Sequence, residues 1–150
     1  MKQVLRALWL ASAVLAAPAT SWAAGLATAD EAKAMAMKAA DYLRSSGPDK
    51  SFAAFDAKDG PWHDRDLYVT VLDQKGVVVA HGNNTGLIGK SAIELRDVDG
   101  KPFIQDVLAI KDSAWIDYKW QNPVTRAVEP KTQYNVRVGE YLVGVGAYAK

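Results

Sequence analysis

The chain has 150 residues, 49% apolar and 9% aromatic, with no cysteine, and its 18 Lys and Arg stand against 17 Asp and Glu for a formal charge of +1. That composition excludes a disordered, collagen-like or disulfide-built chain and suits one globular domain. A near-neutral chain without runs of like charge also lacks the basic surplus that neutralises a phosphate backbone, so bulk binding to nucleic acid is not expected.

The first segment has the three-part layout of a secretory signal peptide. Lys2 and Arg6 precede an apolar stretch from Ala7 to Ala19, and Ser21-Trp22-Ala23 puts small residues three and one before a cut after Ala23. The stretch is shorter than the roughly 18 residues a spanning helix needs, and no cysteine follows it to carry a lipid. Residues 1–23 are therefore expected to direct export, residues 24–150 to form the folded unit, and the periplasm to be its compartment. Loss of Lys2 and Arg6 leaves 16 basic against 17 acidic side chains.

Thr28-Ala-Asp-Glu31 fits a capping box, in which hydroxyl and carboxylate satisfy each other's free backbone donors, so a helix is expected to start there. Ala32, Met35, Ala36, Ala39 and Leu43 recur at helical spacing, and Gly47-Pro48 ends the run. A short second helix over 49–57 puts Phe52 and Phe55 on one side before the Asp59-Gly60-Pro61 turn. From Asp66 the period becomes that of strands: residues 67–72 and 77–81 flank the turn chemistry of Asp73-Gln-Lys-Gly76 and form a hairpin. The loop from Gly82 to Gly89 is rich in Gly and Asn, Asp97-Val-Asp-Gly100 makes a turn, and Pro102 opens a helix with Phe103, Val107 and Ile110 on one side. Three more strands follow over 115–120, 132–138 and 141–148. Short hairpin connections cannot join parallel strands, so the expected fold is α+β, a five-stranded antiparallel sheet with helices on one face.

The order of these elements resembles a known family through Lys58-Asp-Gly-Pro-Trp62, Asp66-Leu-Tyr-Val69, Val78-Val-Ala-His81, Leu87-Ile-Gly-Lys90, Asp99-Gly-Lys-Pro-Phe103, Tyr118-Lys-Trp-Gln-Asn-Pro123, Glu129-Pro-Lys131 and Val143-Gly-Val-Gly146. Together they resemble the single Cache domains of bacterial extracellular sensors. That resemblance implies a PAS-like sheet and a pocket above it for a small carboxylate such as acetate, propionate or pyruvate. It also implies a chemoreceptor or histidine kinase as signalling partner, and a homodimer through the first helix. The sequence runs to Lys150 without a following membrane helix or output domain, so the expected role is to present the occupied form to a separate membrane partner.

A small anion needs two or three convergent donors and an apolar wall that keeps water away. The period of two over 115–120 puts Ile116, Tyr118 and Trp120 on one face and Trp115, Asp117 and Lys119 on the other. Tyr118 can then donate its hydroxyl while Trp120 walls the pocket. On the residues alone, Lys131 reads equally as a solvated strand-edge lysine and His81 as a structural hydrogen-bonder. The resemblance favours Lys131 as counter-charge and His81 and Tyr68 as donors. Tyr134 joins them only if a bulge follows Pro130, and Arg65 has local ion pairing as its simpler role. The expected ligand site is thus Tyr68, His81, Tyr118, Trp120, Lys131 and Tyr134.

Only His63 and His81 are available to a metal, with no cysteine and no HExxH, so neither metal nor cofactor is expected. Asn84-Thr-Gly-Leu-Ile-Gly-Lys-Ser91 lacks the first glycine of a phosphate loop. No nucleophile with a base and no paired carboxylates stand at useful spacing, which argues against an enzyme. The alternative is a structural or protein-interaction module whose pocket is vestigial.

Overall fold

The computed structural model describes residues 25–148, so the expected signal peptide lies outside the described residues. Helix α1, Ala29–Ser46, begins at the capping box: Thr28 N–H donates to Glu31 Oε2 at 2.7 Å, and Glu31 N–H donates to Thr28 Oγ1 at 3.2 Å. It stops at Gly47, whose φ of 80° lets the next helix, α2 (Pro48–Asp56), start at once. The sheet strands are β1 (His63–Asp64), β2 (Leu67–Asp73), β3 (Val78–His81), β4 (Ser113–Gln121), β5 (Val128–Val138) and β6 (Tyr141–Ala147), with helix α3 (Phe103–Leu108) between β3 and β4. All pairings are antiparallel. The order is β1-β2-β6-β5-β4, and β3 also pairs with β2.

This is the expected PAS-like α+β architecture, with three differences in detail. The sheet gains a sixth strand, the two-residue β1, where His63 and Asp64 fold back on Tyr68 and Leu67. Strand β5 starts at Val128 rather than Thr132. Proline is tolerated there because residues before Thr132 pair with β4 but not with β6, so the missing N–H of Pro130 breaks no inner ladder. The helices are divided between the two faces of the sheet. Ala32, Ala36, Ala39 and Leu43 of α1 pack with Phe55 of α2 on Val69, Val71, Val143 and Val145. On the other face Phe103, Ile104 and Val107 of α3 pack with Leu72, Tyr118 and Leu142.

Alternation along each strand sends neighbouring residues to these two cores. Side chains at 68, 70 and 72 of β2 therefore face α3, as do positions 142, 144 and 146 of β6 and 131, 133 and 135 of β5. One buried carboxylate ties the ends of the described chain together: Asp66 Oδ1 accepts from Ala27 N–H at 2.6 Å and Oδ2 from Tyr148 N–H at 3.2 Å.

Candidate functional site

The face of the sheet under α3 carries a cavity of about 50 Å3, room for about four waters. One end is apolar, walled by Leu87, Leu95, Phe103, Ile104 and Trp120; the other is polar, walled by Tyr68, His81, Tyr118 and Gln133. Phe103 lies flat on Tyr118 with ring centres 4.0 Å apart, and Trp120 meets Phe103 edge-on at 5.4 Å, so the aromatic wall is fixed by packing.

Lys131 is directly opposite Tyr118 in the β4–β5 register and is 3% exposed. It does not line the cavity. Its Nζ donates to Tyr68 Oη at 2.9 Å and lies over the Tyr68 ring, 4.3 Å from its centre, with the Tyr148 and Tyr118 ring centres at 5.1 and 5.7 Å. Lys131 and Tyr118 also border an open groove of about 430 Å3 walled by Asp97, Lys101 and Lys119. Lys131 thus stands between groove and cavity, one hydrogen bond behind Tyr68.

The room for that side chain comes from β6. A Cβ on Gly146 would overlap Lys131 Cε, and one on Gly144 would overlap the amides of Gln133 and Asn135. Alternating glycines therefore let β5 side chains lie across the neighbouring strand.

Burial opposes a charge on Lys131, and what favours the ammonium is its hydrogen bond to Tyr68 and the surrounding ring faces of Tyr68, Tyr118 and Tyr148. Burial pushes the Tyr118 phenol up to about 12 and raises that of Tyr148, so both stay neutral. Among the described residues no carboxylate lies within 4.0 Å of Lys131. A buried cation without an anion is a standing cost to the fold.

His81 stacks on Tyr68, ring centres 5.2 Å apart. Burial, and then the Lys131 ammonium, push its pKa down to about 4, so the ring is neutral at pH 7. The backbone N–H of Asn84 donates to Nδ1 at 3.0 Å. An amide N–H can only donate, so Nδ1 is bare and the ring proton sits on Nε2.

The structure brings five of the six expected residues together and corrects two expectations. Tyr134 lies on the opposite face, because the β4–β5 register runs unbroken from Ser113↔Val136 to Gln121↔Val128 and no bulge follows Pro130. There its hydroxyl donates to Ser113 Oγ at 2.9 Å, its ring meets Trp115, and Lys33 lies over it. Tyr118 faces the cavity, but its hydroxyl donates to Gln133 Oε1 at 2.8 Å rather than into the space. Tyr148, Gln133 and Asn135 were not among the expected residues. Counting by two from Lys131 gives Gln133 and Asn135, and the Gly-Val-Gly of β6 signals close approach of side chains from a neighbouring strand. Arg65 pairs with Asp64 and Glu31, the local role expected of it.

Among the described residues no cluster of three or more His, Asp or Glu could hold a metal, and no helix is long and apolar enough to cross a membrane. No curated relative matches the chain. Three solved structures are similar to it. A methyl-accepting chemotaxis protein from Vibrio parahaemolyticus is 21% identical with a TM-score of 0.69, over 79% of this chain and 86% of that one. A Cache chemosensory domain described in terms of carboxylic acid recognition is 18% identical with a TM-score of 0.67, over 81% and 92%. The periplasmic sensor domain of a chemotaxis protein is 21% identical with a TM-score of 0.61, over 81% and 90%. At these identities the likeness concerns the fold. The sequence itself matches the Single Cache domain 2 family over residues 2–150, and the chain belongs to that family.

Proposed function

We propose that this protein is a non-catalytic, sensor-type module that captures a small monocarboxylic acid and presents its occupied form to a membrane-bound signalling partner. The carrying observation is a buried ammonium that has no carboxylate partner among the described residues and stands one hydrogen bond behind a largely apolar cavity. In this reading the ligand carboxylate accepts from the Tyr68 hydroxyl and from His81 Nε2–H. Lys131 donates to the Tyr68 oxygen, which polarises that hydroxyl and supplies the counter-charge through it. The apolar end takes the rest of the acid, and its volume favours molecules with roughly four to six heavy atoms. The single cation favours one carboxylate over two.

Export belongs to the same proposal: residues 1–23 are removed and residues 24–150 work in the periplasm. The similarity of the fold to chemotaxis sensor domains, one of them described in terms of carboxylic acid recognition, supports the choice of ligand class. The test is a thermal-shift panel of acetate, propionate, glycolate, lactate and pyruvate on the purified protein. A ligand at about 100 times its Kd stabilises the folded state by about 2.7 kcal/mol. A cooperative melt that none of the acids moves would overturn the proposal and favour the interaction module.

A further inference from the structure

Three hydrogen bonds to backbone groups fix which way the protons around the cavity point. Asn135 Nδ2 lies 3.1 Å from the carbonyl oxygen of Gln133, and a carbonyl only accepts, so the amide nitrogen is the atom that faces it. Asn135 Oδ1 must then be the atom 2.7 Å from the Gln133 side-chain amide, which presents its Nε2 donor to that oxygen. That leaves Gln133 Oε1 facing Tyr118 at 2.8 Å, and the phenol proton is spent on it. Tyr148 is fixed in the same way, because its hydroxyl donates to the Gln121 carbonyl at 2.7 Å. The third anchor is the Asn84 N–H on His81 Nδ1.

The polar end of the cavity therefore offers two kinds of partner. Tyr68 O–H, whose protein acceptor Tyr148 Oη stands 3.5 Å away and is too distant to hold its proton firmly, and His81 Nε2–H are donors, whereas Tyr118, its proton spent on Gln133, can only accept. Its ring cannot rotate away, because it is stacked on Phe103. Asn135 and Gln133 are buried and fit only because position 144 is glycine.

We propose that Tyr118 is an acceptor that selects acids carrying a hydroxyl on the carbon next to the carboxylate, and that Gln133 and Asn135 are positioning residues that set this polarity. The inference rests on the carboxylate reading of the same cavity. With the carboxylate on Tyr68 and His81, a 2-hydroxyl donates to Tyr118 Oη. A 2-oxo group in that place sets oxygen against oxygen, and an unsubstituted acid leaves the acceptor unpaired. An unmet or mismatched buried polar group is the stronger discriminator of the two.

The experiment is calorimetric titration of the purified protein with lactate against pyruvate and with glycolate against acetate, in the wild type, Tyr118→Phe and Gln133→Met. The wild type is expected to bind each 2-hydroxy acid about tenfold or more tightly than its counterpart. Tyr118→Phe removes the acceptor, so the ratio should fall to within about twofold. Gln133→Met frees the Tyr118 proton to point into the cavity, so the lactate-to-pyruvate preference should shrink or reverse, which a merely structural role for Gln133 would not produce. A melt of each variant verifies folding. Equal or tighter binding of pyruvate by the wild type, or a preference that survives Tyr118→Phe, overturns this inference while leaving the carboxylate site standing. Failure of every acid to bind overturns both.

Discussion

Acidification should weaken the fold through His81, in a window set by the structure. In the folded chain, burial and the nearby Lys131 ammonium hold the His81 pKa at about 4, whereas an unfolded histidine titrates near 6.5. Between those values the unfolded chain carries a proton that the folded one does not, so stability falls as the pH drops. The slope is about 1.4 kcal/mol per pH unit for one proton, and the full loss by pH 4 is about 3 kcal/mol. Glu31, held down to about 2 chiefly by Arg65, and the lowered Asp97 lose their contributions only below the ordinary carboxylate range. His63, also pushed down by burial, acts in the same window as His81. The informative quantity is therefore the difference between wild type and His81→Asn, whose side-chain oxygen can still accept from Asn84 N–H. Urea unfolding at steps between about pH 7.5 and pH 4.5 gives it directly. The wild type should lose stability more steeply than the variant below pH 6.5, and parallel curves would refute the buried neutral imidazole.

Two further substitutions probe the frame of the site. Gly146→Ala should cost about 1–3 kcal/mol by overpacking and should weaken acid binding by displacing Lys131. Gly60→Ala, in open space, is the control, and equal behaviour of the two in melting and titration would contradict the close packing described. Asp66→Ala should cost about 2–4 kcal/mol, because it strands the N–H groups of Ala27 and Tyr148. Asp66→Asn, which keeps one acceptor, should lose less, and an unchanged Tm in both would dismiss the clamp.

Where local chemistry decides the structure, the sequence showed it. The capping box at Thr28 and Glu31, the Gly47-Pro48 break and the β2–β3 hairpin depend on neighbours in the chain, and each stands within a residue or two of its expected place. The start of β5 was less legible, because whether Pro130 interrupts a sheet depends on whether a second strand lies alongside it, which is a tertiary fact. The same holds for the two faces. Helix α3 is short and apolar enough to pack on either side of the sheet, and its place follows from Tyr118 and Leu142, which are distant in sequence.

The site was legible by residue type and only partly by role. Lys131 and Tyr118 fall on one face by period and register, and the same count excludes Tyr134. The proton polarity of Tyr118 could not be read, since it depends on Asn135 folding back onto the Gln133 carbonyl beneath it. Nor could the partition of Lys131 from the cavity, which arises because Lys131 lies across β6 over Gly146 and ends on Tyr68 Oη.

The most direct test of the account is Lys131→Met, followed by melting with and without the tightest-binding acid. The ammonium acts on the carboxylate at about 5 Å through the Tyr68 hydroxyl, an attraction of ~3 kcal/mol at an effective dielectric constant near 20, or ~100-fold in affinity. Without ligand the variant should melt at or above the wild-type temperature, because a buried unpaired charge has been replaced by an apolar chain of similar length. With ligand its melting temperature should barely move. A variant that is less stable alone yet keeps the full ligand shift would contradict Lys131 as the counter-charge of a carboxylate site.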